Sequence, residues 1–138
     1  MDSLLYEADE HYKHGNLKQA AQLYQEAMDE GYVDAINSLA LCYQNGEGVD
    51  KDEIKAVQLY QQAVDEGHVN AINNLALCYY NGEGVDKDEV KAAQLYQQAI
   101  DNGHIWAIFN LALCYHYGEG VSKDEAEAAQ PYQQAMDK

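Results

Sequence analysis

One segment of the chain, AINSLALCYQNGEGVDKDEIKAVQLYQQAVDEGHVN over residues 35–70, recurs over residues 71–106 with 28 of 36 positions identical, and a third copy runs from Ala107 to Lys138. Self-similarity at a fixed period of roughly 20 to 50 residues belongs to chains whose units bury their apolar faces by stacking on their neighbours. Function in such a chain falls to a surface that several units share. A binding face is therefore sought before a single active site.

Within the unit the apolar residues keep helical spacing. Ala35, Leu39, Cys42 and Tyr43 stand at i, i+4, i+7 and i+8, on one face of an α-helix. Asn45 and Gly46 end that helix, because both residue types tolerate the backbone a helix terminus needs. Val49 is the lone apolar residue of the following loop and is expected to tuck beneath it. A second helix is expected to open on a capping box: Asp50 with Glu53, Asp86 with Glu89 and Ser122 with Glu125. Ala56, Tyr60 and Ala63 then mark its apolar face until Gly67 closes it. Each unit thus reads as two antiparallel helices, and no segment reads as a strand. The recurring tyrosines Tyr43, Tyr79 and Tyr115, with Tyr24, Tyr60, Tyr96 and Tyr132 of the second helices, are expected in the core. Residues 1–34 are a looser version without the EGVxxDE loop: one helix starting near Asp2 or Ser3 and broken at Gly15 and Asn16, another from Leu17 to Asp29.

Charge narrows the partners. The chain has 24 acidic residues against 8 lysines and no arginine, for a formal net charge of -16. That field repels nucleic acid and anionic membrane surfaces and attracts basic protein segments. The three cysteines, Cys42, Cys78 and Cys114, recur 36 residues apart with no partner inside their own unit. This argues against a disulfide framework and for a reducing compartment, with each thiol a small buried hydrophobe. With no basic leader followed by an apolar stretch and no apolar run near 18 residues, neither a signal peptide nor a membrane span is read, and a cytoplasmic location is expected.

Two family resemblances follow from these residues. Ala8, Gly15, Ala20, Tyr24 and Ala27 have the small-and-aromatic spacing of a helix hairpin that resembles the tetratricopeptide repeat. The main unit resembles the Sel1-like repeat through Ala35, Leu39, Tyr43, Gly46, Gly48, Val49, Asp52, Lys55, Ala56, Tyr60, Ala63 and Gly67. The second copy carries the same set from Ala71 to Gly103, whereas the third has Glu127 in place of the lysine and no closing glycine. The resemblance implies an all-α fold, a right-handed α-solenoid of antiparallel helix hairpins. It divides the chain into one repeat domain, 1–138, made of a tetratricopeptide-like hairpin at 1–34 and Sel1-like repeats at 35–70, 71–106 and, incomplete, 107–138. It also implies a non-enzymatic adaptor or scaffold that binds a protein or peptide in a concave groove. Cysteine-rich relatives with two cysteines per repeat have had β-lactam binding or hydrolysis attributed to them. The second cysteine is missing from every repeat here, which disfavours that alternative.

Differences between the copies point to candidate binding residues, since a position that varies is not held by stacking. In the first helices these are Asp34, Asn70 and Trp106; Asn37, Asn73 and Phe109; Gln44, Tyr80 and His116; and Asn45, Asn81 and Tyr117. Together with Leu41, Leu77 and Leu113 they form one helical stripe opposite the packing face, which by resemblance to tetratricopeptide arrays lines the groove. The expected partner-binding set is Asn37, Leu41, Gln44, Asn73, Leu77, Tyr80, Trp106, Phe109, Leu113, His116 and Tyr117. The stripe grows aromatic toward its C-terminal end, with the residue types that anchor interfaces.

No catalytic residue, metal ligand or cofactor is read from the chain. There is no Gly-x-Ser-x-Gly, and Ser3, Ser38 and Ser122 have no evident partner histidine. His68 and His104 follow the closing glycines, where Tyr32 stands in the first unit. Glu47, Asp50, Asp52 and Glu53 do not match a calcium loop. Pro131 stands where Leu59 and Leu95 do and is expected to kink the last helix. The end of the array then lacks a polar cap, so self-association through it is a further expectation.

Overall fold

A computed structural model describes residues 3–117, without the side chains of Tyr115 and Tyr117. Its elements are seven helices, with no strand among the described residues: α1 (Ser3–Lys13), α2 (Leu17–Asp29), α3 (Val33–Asn45), α4 (Glu53–Asp65), α5 (Val69–Asn81), α6 (Glu89–Asp101) and α7 (Trp106–Tyr117). The chain forms two compact units, residues 1–68 and 69–138. In the first, α1 pairs with α2 and α3 with α4, and α2 packs on α3. In the second, α5 pairs with α6 and α7 packs on α6. The fold class is therefore the all-α helix-hairpin class read from the periodicity.

Alanine at the contact faces lets the helices approach closely. Ala8, Ala20, Ala27, Ala35, Ala40, Ala56 and Ala63 in the first unit, and Ala71, Ala76, Ala92, Ala99, Ala107 and Ala112 in the second, have no accessible surface. Larger side chains fill the spaces between them: Leu39, Ile36 and Tyr60, then Leu75, Ile108 and Tyr96, all fully or almost fully buried. A core built on helical spacing this regular tolerates no volume change without a rearrangement or a void.

The described second helices, α2, α4 and α6, end alike. The Tyr32 N–H donates to the Ala27 carbonyl at 3.1 Å and Gly31 N–H to Met28 at 2.9 Å. His68 and Gly67 do the same to Ala63 and Val64, and His104 and Gly103 to Ala99 and Ile100, each at 2.9 Å. This is the Schellman pattern, which satisfies the last carbonyls and requires a left-handed residue, supplied by glycine at φ 93°, 90° and 93°.

The loop inside the unit departs from expectation in one respect. The N-cap of α4 is Asp52, not Asp50: its carboxylate accepts from the Lys55 N–H at 3.0 Å, and Asp88 does the same for Lys91. Position N3 is then a lysine, so no reciprocal capping box forms. The cause lies in the loop, where the Asp52 N–H donates back to the Tyr43 carbonyl at 2.8 Å and holds Asp52 extended just before the helix. The Ser122 and Glu125 pair, Glu127, Pro131 and Tyr132 lie outside the described residues.

The tyrosines divide. Tyr24, Tyr60 and Tyr96 of the second helices are buried. Tyr43 and Tyr79 are only half-buried, contrary to the expectation of core positions. Each stands in the last turn of its helix, beside the first turn of the next, where Lys55 Nζ lies 4.9 Å from the Tyr43 ring centroid and Lys91 Nζ 6.0 Å from that of Tyr79. A ring face that holds a lysine ammonium has to stay near water. Val49 is half-buried and lines a hollow of about 260 Å³ together with Lys18, Gln22, Leu39 and Tyr43.

Candidate functional site

The stripe expected from the varying positions differs from helix to helix. On α3, Asp34 is exposed, Asn37 is half-buried and Leu41 is 36% exposed. Gln44 is half-buried and serves the fold, because its Oε1 accepts from the buried Tyr60 hydroxyl at 2.6 Å. On α5, Asn73, Leu77 and Tyr80 are all half-buried, so Leu77 does not share the exposure of the other two stripe leucines. The Asn110 side-chain amide on α7 donates to Asn73 Oδ1 at 3.2 Å and ties the two first helices of this unit together along the stripe.

On α7 the stripe opens to solvent. Trp106 is 73% exposed, Phe109 36% and Leu113 42%, with His116 exposed beyond them. The Trp106 and Phe109 rings lean on each other, centroids 5.8 Å apart and planes tilted by 36°. Ile105, next to Trp106 in the chain, is 43% exposed. Tyr117 closes α7, and its side chain lies outside the described set. Singly exposed apolar residues are ordinary on a protein surface, but a contiguous cluster containing Trp and Phe is the composition of an interface.

The first unit has a second concavity that the repeat comparison did not find. A cleft of about 430 Å³ is lined by Leu5, Tyr6, Asp9, Glu10, Tyr12 and Lys13 of α1 and by Asp34 of α3. Asp9 Oδ1 accepts from the buried Tyr24 hydroxyl at 2.6 Å, and burial first, then this bond and the aspartate charge, raise the tyrosine pKa. Glu10 lies 3.6 Å from Lys13 Nζ, and Asp34 Oδ1 lies 3.0 Å from Nε2 of the nearly buried His68. The Tyr12 hydroxyl donates to both carboxylate oxygens of Glu47 at 3.0 Å, which anchors the loop after α3 to α1. The comparison of copies passed over this cleft because α1 belongs to the divergent first unit. The signals were Asp34, a varying position, and a pair of tyrosines, Tyr6 and Tyr12, among acids on one short helix.

The remaining reactive side chains have structural tasks. Cys42, Cys78 and Cys114 are buried thiols that form no disulfide. Burial, reinforced by the charge of Glu47, pushes the Cys42 thiol up to about 11. His104 Nδ1 accepts from the Ala107 N–H at 3.2 Å and caps the start of α7. Among the described residues, no three His, Cys, Asp or Glu side chains converge as a metal site, and no helix is long and apolar enough to cross a membrane.

Paired helices, alanine-lined contacts and identical glycine-closed turns define a class, the all-α helix-hairpin repeat proteins. The chain belongs to the Sel1 repeat family within it: the family model matches residues 6–32, 33–68, 69–104 and 107–137. Among solved structures it is similar to c5321, described as a protective antigen present in uropathogenic Escherichia coli strains and displaying an SLR fold. That match has a TM-score of 0.81 and 29% identity, covering 86% of this chain and 26% of that one. A Sel1 repeat protein from Oxalobacter formigenes matches with a TM-score of 0.76 and 31% identity over 86% of this chain and 49% of that one. Cysteine-rich protein B of Helicobacter pylori matches with a TM-score of 0.65 and 26% identity, over 84% of this chain and 88% of that one. The chain thus spans about a quarter of the first of these proteins and about half of the second. A comparison with curated proteins returned no match. Sel1 repeats generally mediate protein–protein interaction, and proteins built from them are typically non-catalytic scaffolds.

Proposed function

We propose that this chain is a non-enzymatic interaction module that docks an extended or helical segment of a protein partner on the outward stripe of its first helices. The observation that carries this reading is the exposed Trp106, Phe109 and Leu113 row on α7. Each large ring buries roughly 150 to 250 Å² when covered, and rings of this kind dominate interface energetics. Asn73, Leu77 and Tyr80 on α5 would border such a partner, while Leu41 and Asn37 give the first unit its own smaller face. Gln44 contributes by holding Tyr60 and not by contact with the partner. The excess of acid over base in the whole chain speeds the encounter with basic segments and makes it salt-dependent.

The test compares the wild type with Trp106→Ala/Phe109→Ala in affinity capture from the source organism's lysate. The double variant is expected to lose the captured partner while keeping its helical circular dichroism and melting temperature. Because Trp106 is the only tryptophan, its emission is expected to shift to the blue when the eluted partner is added back to the wild type. Equal capture by both proteins, or an unfolded double variant, would remove the basis for the proposal.

A further inference from the structure

The cleft on α1 differs chemically from the α7 face. It places two tyrosines, Tyr6 and Tyr12, 57% and 39% exposed, beside three carboxylates, Asp9, Glu10 and Asp34. Its one lysine, Lys13, is 72% exposed at the side chain and lies 3.6 Å from Glu10, which the exposed His14 ring also approaches at 3.7 Å. Asp9 accepts a hydroxyl donor, which leaves its charge in place and most of its lone-pair sites unused. Asp34 meets His68 Nε2 through Oδ1 at 3.0 Å, yet its side chain is 77% exposed, so the carboxylate still presents an open side to an incoming group.

We propose that this cleft is a docking site for an arginine side chain of a partner segment. A guanidinium is planar, stacks on aromatic faces and forks onto carboxylates, so it uses both components of the lining at once. The volume, about 430 Å³, leaves room for the aliphatic stem as well as the head group. The occupant is a partner segment and not a second copy of these 138 residues, which contain no arginine. The site is separate from the α7 face and does not depend on that reading.

Two blocked pentapeptides of one sequence, with arginine or uncharged citrulline at the centre, test it against the isotope-labelled full chain by amide NMR. The arginine peptide is expected to shift the signals of α1 and Asp34, and the citrulline peptide to bind about tenfold more weakly or worse. Glu10→Gln/Asp34→Asn, which removes two carboxylate charges and keeps an oxygen able to accept where Asp34 meets His68, is expected to weaken the arginine peptide by about tenfold and to flatten its salt dependence. The same spectra report whether that variant is folded, and Tyr6→Ala, at a 57% exposed position, gives an independent loss. Equal binding of the two peptides, undiminished binding by the charge-neutral variant, or no shift at millimolar peptide overturns the proposal. Trp106→Ala/Phe109→Ala is expected to leave the arginine titration unchanged, which separates a failure here from a failure of the α7 reading.

Discussion

Gly48→Ala probes how the first unit holds its hairpins together. The loop after α3 brings Gly48 onto the start of α2, where an added Cβ would overlap the Leu17 carbonyl oxygen and lie 2.9 Å from the Lys18 nitrogen. Both are backbone atoms, so no change of rotamer relieves the overlap. Gly48 also has φ 77°, a left-handed conformation that costs a residue with a Cβ about 1–2 kcal/mol. Lifting the loop off α2 adds an overpacking cost of about 1–3 kcal/mol, for a total of about 2–5 kcal/mol. Gly31→Ala is the matched control in the same unit: φ is 93° and nothing lies within 4 Å of an added Cβ. It carries only the conformational part, about 1–2 kcal/mol. Urea unfolding followed by circular dichroism reads the difference, and at a slope of about 1–3 kcal/mol per molar urea the two midpoints separate by roughly 1 M. Equal midpoints for the two variants would show that the loop does not press on α2 and would refute the packing described for this unit.

The capping assignment gives a second test. Asp52→Ala is expected to cost about 1 kcal/mol and Asp50→Ala less than half of that, whereas a cap at Asp50 would reverse the order in the same urea assay. Cysteine chemistry gives a third. With the Cys42 thiol near 11, roughly one in a thousand is ionised at pH 8, so a disulfide reagent is expected to label it rapidly only in denaturant; prompt labelling of the native protein would contradict its burial. The pH dependence of stability has a defined sign. The Cys42, Tyr24 and Tyr96 pKa values are all raised, by burial first, so the fold favours their protonated forms. Their contribution is complete below the unfolded values of 9.0 and 10.0 and is lost as pH rises from there through the folded values. The unfolding free energy is expected to fall above pH 9 by about 1.4 kcal/mol per pH unit for each group in its window, and a urea midpoint that holds steady to pH 11 would refute it.

Much of the architecture was legible in the residue pattern. The spacing of Ala35, Leu39 and Cys42, and of Ala56, Tyr60 and Ala63, identified the buried faces of α3 and α4, and Gly15 and Gly67 marked breaks that are present. Such faces can be read from a sequence because burial in a helix repeats every turn, and an alanine at a contact recurs wherever the contact does. The candidate site was legible only in part. Identical spacing put Leu41, Leu77 and Leu113 on one stripe, yet Leu77 is half-buried and Gln44 is engaged by Tyr60. The α1 cleft was missed because α1 belongs to the divergent first copy; of its lining only Asp34 was among the positions compared between copies.

The sequence by itself determined the helices, their order, their buried faces and the family, since each depends on periodicity and on residues close together in the chain. Only the tertiary structure decided which aspartate caps α4, which tyrosines stay near water and which of the stripe residues remain open. Those outcomes depend on where a loop or a neighbouring helix places its polar atoms. Asp52 is the cap because a distant carbonyl, that of Tyr43, holds its backbone extended. Asn73 is half-buried beside an amide that α7 brings to it, whereas Trp106 remains in solvent.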